Sequence, residues 1–279
     1  MTKIILAGTP EFSVPIFEKI INNFEVLAII SQPDRPSIRG RKTIHTPVKL
    51  LADKYNIPCF QPEKINDIYH QLQAMDFDYL ITCAFGQYIP TKILDLAKKY
   101  NLNVHGSLLP KYRGAAPIQY SLLNNDNETG ISLMEMVKEM DAGDIFIQES
   151  IKIEKRDTSS SLFNKLSHLA TDNIVKWIKD IESNKVKPIK QNENLVIYSP
   201  KLNKNDGEIN ANLSCQRAIN IIRAFADNPG AYTYINNKRV KLFYGTKEKI
   251  KNSLELKMKD GILYITDYQF ESKKRITLF

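Results

Sequence analysis

The chain reads as an α/β protein: an open, parallel-rich sheet in its N-terminal part, followed by a small antiparallel β-barrel. Two observations predict this. Through the first 150 residues short apolar runs alternate with amphipathic helical stretches, the signature of strands joined by right-handed helical crossovers. In the last 79 residues the pattern changes to short alternating strands joined by tight turns, with lysines and arginines between them, which suits a small barrel.

KIILAG (3–8) is an apolar run closed by Gly-Thr-Pro, as for a buried parallel strand. SVPIFEKIINN (13–23) has apolar residues at 14, 16, 17, 20 and 21, a helical stripe with Ser13 expected as its cap. FEVLAIIS (24–31) is a second strand. TPVKLLADKYN (46–56) is a helix, with Thr46 as cap and Pro47 in its first position. IPCFQP (57–62) and YLITCAF (79–85) are the third and fourth strands. PTKILDLAKKY (90–100) is expected to be helical, and LNVHGS (102–107) opens as a fifth strand. PIQYSLLNND (117–126) reads as a helix, TGISLMEMV (129–137) and AGDIFIQESIKI (142–153) as strands. Residues 158–183 form a long amphipathic helix with Trp177 on its apolar side. The polar stretch 185–209 is broken by two prolines, which places the linker there. The expected division is a catalytic domain over 1–189, a linker over 190–205 and a C-terminal domain over 206–279. In the tail, SCQRAINIIRAFA (214–226) is a helix. Two hairpins turn at Asn236-Asn237 and Asp260-Gly261, residues that accept the positive φ of tight turns.

The composition of the 279 residues, 43% apolar and 25% charged, is globular. No apolar run approaches the roughly 20 residues of a membrane span. The start, MTKIILAGTPEF, is too short in apolar residues for a signal peptide, so a cytoplasmic protein is expected. Cys59, Cys83 and Cys215 form no C-x-x-C pair. His45, His70, His105 and His168 form no ligand cluster, so no metal is expected. The net charge is +8, and residues 201–279 hold 15 Lys/Arg against 8 Asp/Glu. A basic tail beside a neutral body suggests a polyanion, nucleic acid before membrane; the competing reading is an ordinary soluble basic surface.

A parallel sheet invites a dinucleotide reading. The loop after the first strand, AGTPEF, lacks G-x-G-x-x-G, and no G-x-x-x-x-G-K-[ST] occurs, which argues against nicotinamide and nucleoside triphosphate chemistry. In LNVH, strand alternation puts Asn103 and His105 on one face, at the C-terminal end of the strand, where open α/β sheets bind ligands. An amide donor beside a group that titrates near neutrality suits oxyanion stabilisation and proton movement. The competing reading is a turn-capping His and a backbone-bonded Asn. EMDAGDI (139–145) adds a carboxylate, Asp141, beside a Gly turn; the competing reading there is an ordinary loop acid. Asn, His and Asp with no metal and no Ser or Cys nucleophile fit direct acyl transfer.

With those residues in view, N-x-H-G-S-L-L-P-x-x-R-G-A-A-P-I-Q (103–119) and the following D-A-G-D turn resemble the 10-formyltetrahydrofolate-dependent formyltransferases. RGAAPIQ points to the methionyl-tRNA branch. LAGTPEFSVP, SQPDRP, PVKLLA, AFGQYIP and IRAFADNPGAYT are collinear with that family along nearly the whole chain. The resemblance implies a Rossmann-like N-terminal domain with an OB-like C-terminal barrel. It implies formyl transfer from 10-formyltetrahydrofolate to the α-amine of methionine on initiator Met-tRNA, for translation initiation. Asn103 and His105 would stabilise the oxyanion, and Asp141 would orient His105 and accept the amine proton. Ser107, Leu108, Leu109 and Pro110 match the folate signature, with Gln87, Tyr88 and Ile89 of AFGQYIP as another wall. Arg35, Arg39, Arg41 and Lys42 on the Pro/Gly-rich loop, and Arg217, Arg223, Lys238, Arg239 and Lys241 in the tail, would meet the tRNA. A monomer is expected. Departures from the family are Ser37-Ile38 before Arg39, and Ala211 and Asn228 where relatives often carry Trp. Two alternatives stay open at this stage: a formyltransferase acting on a glycinamide ribonucleotide or an amino sugar nucleotide, and a non-catalytic RNA-binding protein.

Overall fold

The computed structural model describes residues 1–36, 43–226 and 229–278. The chain opens with β1 (Lys3–Gly8), α1 (Val14–Ile21) and β2 (Glu25–Ile30). A short ribbon of β3 (Arg35–Pro36) and β4 (Thr43–Ile44) follows, then α2 (Pro47–Lys54), β5 (Cys59–Phe60), α3 (Tyr69–Gln73), β6 (Tyr79–Cys83) and the single turn α4 (Thr91–Leu94). Next come β7 (Tyr100–His105), β8 (Lys111–Gly114), α5 (Pro117–Leu123), β9 (Glu128–Glu135), β10 (Ile145–Lys152), α6 (Ser159–Glu182) and β11 (Ile197–Ser199). The tail holds α7 (Cys215–Ala224), β12 (Ala231–Ile235), β13 (Lys238–Thr246), β14 (Leu254–Met258), β15 (Gly261–Phe270) and β16 (Ile276–Thr277).

The chain divides into two compact units. The first comprises Met1–Arg113, Gly130–Ser150 and Asn164–Ile197; the second comprises Gly114–Thr129, Ile151–Phe163 and Tyr198–Phe279.

The first unit is built on a seven-stranded sheet in the order β10-β9-β7-β6-β1-β2-β5. The ladders from β5 to β7 are parallel, and β9 runs antiparallel to β7. The central strands bear fully buried Ile4, Ile5, Leu6, Ile29, Ile30 and Ile81, as their unbroken apolar runs require. Chain order reverses between β1 and β6, so the carboxyl ends of these strands flank the crevice where doubly wound sheets bind ligands. Packing there is tight: a Cβ on Gly8 would lie 2.8 Å from the Cys83 carbonyl and 2.7 Å from the Phe17 ring. α1 buries Ile16, Phe17 and Ile20, the stripe read from the sequence.

Three local expectations change. Ser13 does not cap α1; it is fully buried, and its hydroxyl donates to the Cys83 carbonyl at 2.6 Å. Thr46 does cap α2, accepting from the Lys49 amide. The helix expected over 90–100 is only one turn, because the Asn101 amide takes the Leu94 carbonyl at 2.8 Å and Tyr100 already begins β7. Residues 63–78, to which no periodicity assigned an element, contain a 3₁₀ turn at Ile65–Ile68 and α3.

In the second unit, α5 and α7 are joined by Arg217 and Asn220, which both donate to the Leu123 carbonyl, at 2.7 and 3.3 Å. The Ser214 hydroxyl caps α7 and the Asp260 carboxylate accepts its first amide. Where a small barrel is expected, the tail has an antiparallel sheet of order β12-β13-β15-β14, with β16 paired to β15. Both predicted hairpin turns are present. Asn236 and Asn237 have φ of 48° and 60°, and Gly261 has φ of 153°, values that Asn and Gly tolerate.

Candidate active site

Alternation along β7 puts Leu102 and Val104 into the core and leaves Asn103 and His105 on the opposite face. The D-A-G-D turn between β9 and β10 meets that face. The Asp141 carboxylate lies between the two, with Oδ1 3.4 Å from Asn103 Nδ2 and Oδ2 3.6 Å from His105 Nδ1. These distances are longer than a closed hydrogen bond and leave the trio able to tighten around a reacting group. His105 is only 5% exposed, so its charge interactions are weakly screened.

The structure adds partners that motif reading missed. Thr82, on β6 beside Asn103, donates its hydroxyl to Asn103 Oδ1 at 2.8 Å. That bond fixes the amide with its NH2 toward Asp141. Strand pairing was the only sequence signal for it, since Thr82 lies 21 positions away. The ring of His105 is oriented by the Tyr112 carbonyl, 2.9 Å from Nε2. A carbonyl only accepts, so Nε2 carries the proton and Nδ1 faces the carboxylate. Tyr112 is buried with φ of 67°, a backbone conformation costly for an aromatic residue. Two groups therefore flank the ring: the Tyr112 carbonyl on Nε2, and Asp141, the residue expected to orient it, facing Nδ1.

The turn that carries Asp141 is itself held from two sides. Asp141 has φ of 54°. Gly143 packs so closely that a Cβ would lie 2.0 Å from the Glu135 carbonyl. The buried Gln191 donates to the carbonyls of Asp141 and Gly143 at 2.8 and 2.7 Å. Its own amide oxygen accepts from Arg113 Nε at 2.9 Å. Arg113, 4% exposed, is also forked onto Glu193 at 2.8 and 3.1 Å. This fork holds the Glu193 carboxyl below its usual titration range. Arg113 opens the RGAAP segment. The rest of that segment is explained by backbone needs: Gly114, with φ of 123°, lets the Ser199 carbonyl approach, and the Ala115 and Ala116 amides donate to it. Gln191 and Glu193 fall in the stretch read as a polar linker, so part of that stretch is structural.

The S-L-L-P loop follows β7. Ser132, opposite His105 on β9, donates to the Ser107 carbonyl and accepts from the Leu109 amide and the Gln148 side chain. Gln148 also donates to the Leu109 carbonyl. Ser107 is fully buried with its hydroxyl on the Lys111 carbonyl, and Leu109 is buried, whereas Leu108 and Pro110 are half-buried. In the A-F-G-Q-Y-I-P loop after β6, Gln87 bonds both ways to the backbone of Pro62 and Ile65. Ile89 belongs to the apolar core, and Tyr88 is 59% exposed. The side chains of Ser107, Leu109, Gln87 and Ile89 thus build the loops, Leu108 lies against Gly130, and Pro110 is half-buried while Tyr88 is exposed.

Of the expected tRNA contacts, Arg39, Arg41 and Lys42 lie outside the described residues, as do Ser37-Ile38 and Asn228. Arg35 is exposed at the start of the β3–β4 ribbon. Beside it the Asp34 carboxylate accepts from Gln61 and the Thr46 amide and pairs with His45 at 2.6 Å. Lys238, Lys241 and Arg217 are exposed, although Arg217 is also bonded to the Leu123 carbonyl. Arg239 lies over the Tyr232 ring, 4.0 Å from its centroid. Arg223 is a correction: it is buried, and its guanidinium donates to the Asp157 and Glu154 carbonyls at 2.7 and 2.8 Å, so it packs the second unit rather than facing a phosphate.

Residues 2–178 match the family described as formyl transferase, and residues 201–278 match the formyl transferase C-terminal domain. A methionyl-tRNA formyltransferase of Mycoplasmopsis pulmonis is 50% identical, over 99% of this chain and 96% of the relative. One from Lactobacillus acidophilus is 45% identical, over 91% of this chain and 82% of the relative. Among solved structures, WlaRD, a sugar 3N-formyl transferase crystallised with dTDP and 5-N-formyl-THF, has a TM-score of 0.74 at 24% identity, covering 98% of this chain and 99% of that one. The methionyl-tRNA formyltransferase of Clostridium thermocellum has a TM-score of 0.66 at 15% identity, covering 98% and 100%. At these identities the two structures show the shared fold.

Proposed function

The chain belongs to the formyltransferase family, among the methionyl-tRNA formyltransferases, and from that premise we propose how its own residues carry formyl transfer to Met-tRNA. The observation that carries the reading is one carboxylate, Asp141, facing both the Asn103 amide and the Nδ1 of His105 at the carboxyl end of β7.

10-Formyltetrahydrofolate supplies the formyl carbon, and the α-amine of the tRNA-borne methionine is the acceptor. The site suits such a donor. Pro110 and the half-buried Leu108 after β7, and the exposed Tyr88 after the parallel neighbour β6, leave apolar surface on two loops at the carboxyl end of the sheet, as a flat ring requires. Ser132 and Gln148 keep the first of these loops in place.

Thr82 holds the Asn103 amide so that its N–H donors are set before the reaction and need no reorganisation as charge grows on the formyl oxygen. His105 keeps Nε2–H on the Tyr112 carbonyl, which leaves Nδ1 and the Asp141 carboxylate facing each other as two acceptors. A proton lodged between them satisfies both. The pair therefore takes the proton that the amine loses on forming the new C–N bond, and returns a proton to N10 of the folate as the formyl–N10 bond breaks, so that tetrahydrofolate leaves as the neutral amine. No covalent enzyme intermediate is needed, because the amine is itself the nucleophile.

Residues 1–189 form the catalytic part in this reading, 190–205 the connection and 206–279 the tRNA-binding part. Arg35 and the tail cations Lys238, Arg239 and Lys241 meet the tRNA backbone. The enzyme acts as a cytoplasmic monomer; among the described residues no helix is long and apolar enough to cross a membrane. The test is to mix the purified protein with 10-formyltetrahydrofolate and Met-tRNA, beside an Asp141→Asn variant. The reading expects formyl-Met-tRNA from the first and a turnover loss far larger than any change in folate affinity from the second. Transfer only to an amino sugar nucleotide, or an Asp141→Asn variant with full turnover, would refute it.

A further inference from the structure

The network behind the D-A-G-D turn does more than pack it. Asp141 sits in the left-handed region, with φ of 54°, which aspartate adopts in tight turns and which its surroundings here fix. One side chain supplies that hold. The two amide hydrogens of Gln191 go to the carbonyls of Asp141 and Gly143, at 2.8 and 2.7 Å. A primary amide has two such hydrogens, so its donor capacity is spent on the turn. Its oxygen is taken by Arg113 Nε at 2.9 Å, which fixes which way the amide faces. Arg113 cannot swing away, since it is buried and forked onto Glu193. On the opposite side, the Glu135 carbonyl presses on Gly143 and the Glu135 amide donates to Asp144 at 2.9 Å. The turn is thus clamped between β9 and Gln191.

We infer that Gln191, locked by Arg113 and Glu193, is a positioning residue that sets where the Asp141 carboxylate stands between Asn103 and His105. This inference rests on the reading of Asp141 given above. It also gives Arg113 of the RGAAP segment a physical task, reaching the reacting group through one amide. Freed from the clamp, the backbone at Asp141 relaxes toward negative φ and carries the carboxylate off the Nδ1 it faces.

Gln191→Glu tests this with little change of shape. The carboxylate keeps an acceptor for Arg113 but cannot donate to either carbonyl. Gln191→Met removes both ends of the network, and thermal unfolding followed in parallel shows whether each variant folds. Both are expected to lower kcat by about 10- to 100-fold, the scale of a misplacement near 1 Å, with KM for the formyl donor and for Met-tRNA held within about twofold. In an Asp141→Asn background, measured by single turnover, either substitution is expected to cost little more, since the two act as one unit. Should Gln191→Met fail to fold, Gln191→Glu decides. A full kcat in the folded Gln191 variants, or an equal further loss in the Asp141→Asn background, would overturn the inference while leaving Asp141 in place. An Asp141→Asn enzyme with full kcat would remove the reading of Asp141, and the inference with it.

Discussion

Adding one methyl group at Gly143 tests how finely the acid is placed. In Gly143→Ala the new Cβ would stand 2.0 Å from the Glu135 carbonyl oxygen, 2.9 Å from its carbon and 3.3 Å from a Val137 methyl. Contacts under 3.0 Å force a shift, so the turn must retreat by at least about 1 Å, the displacement at which a reacting group loses roughly 100-fold in rate. The obstacle is backbone and cannot rotate away. Retreat also stretches the Glu135 amide bond to Asp144, now 2.9 Å. The packing cost is about 1–3 kcal/mol, enough to lower Tm by several degrees. Steady-state formylation with both substrates varied, together with a thermal melt, reads both effects. The expected result is a kcat near one hundredth of normal, with KM for the folate little altered and a depressed Tm. A variant with normal kcat and normal Tm would refute the reasoning, since it would mean the turn can move without moving the chemistry.

Three further outcomes follow from the same geometry. Thr82→Val keeps the shape of the side chain but removes the hydroxyl on Asn103 Oδ1; a loss of about 1 kcal/mol, near fivefold in kcat, is expected from initial-rate measurements, and an unchanged kcat would show that the amide holds its orientation alone. Ser132→Ala removes the oxygen that ties Ser107, Leu109 and Gln148 together; KM for the formyl donor should rise more than kcat falls, and the reverse pattern would place the loop in the chemistry. Arg223→Ala and Lys241→Ala should part company: the first leaves the Glu154 and Asp157 carbonyls without their donor and costs about 1–3 kcal/mol of stability, whereas the second should leave Tm alone and reduce the salt dependence of tRNA binding by about one unit of slope. Equal salt slopes in the Lys241→Ala variant and the parent would argue for a merely soluble basic surface.

Much of this architecture is legible in the residues because local rules decide it. Continuous apolar runs gave β1, β2 and β6, period-2 alternation put Asn103 beside His105, and Asn236-Asn237 and Asp260-Gly261 marked both hairpins. Where local and tertiary demands compete, the sequence is mute. Ser13 is a good cap by type, yet the Cys83 carbonyl takes its hydroxyl. Residues 90–100 have a helical pattern, yet the Asn101 amide closes α4 after one turn. Arg223 counts toward the basic tail like any other arginine, and only folding shows that it is consumed by two carbonyls. The supports of the site were hidden for the same reason: Thr82, Tyr112 and Gln191 have no motif of their own, and they meet Asn103, His105 and Asp141 only through strand pairing and loop closure.

The carbonyl of Tyr112 has one more consequence. By holding Nε2–H it shuts one of the two doors of the imidazole, so His105 cannot pass a proton through the ring from one nitrogen to the other. What arrives at Nδ1 must leave by Nδ1. In the reading proposed above the enzyme therefore resets by the route it was loaded: the proton taken from the amine goes back out from Nδ1 and Asp141 to N10 of the folate as the formyl–N10 bond breaks. On that reading the donor nitrogen and the acceptor amine must meet the pair on the same side, and the Tyr112 carbonyl on Nε2 is what closes the other.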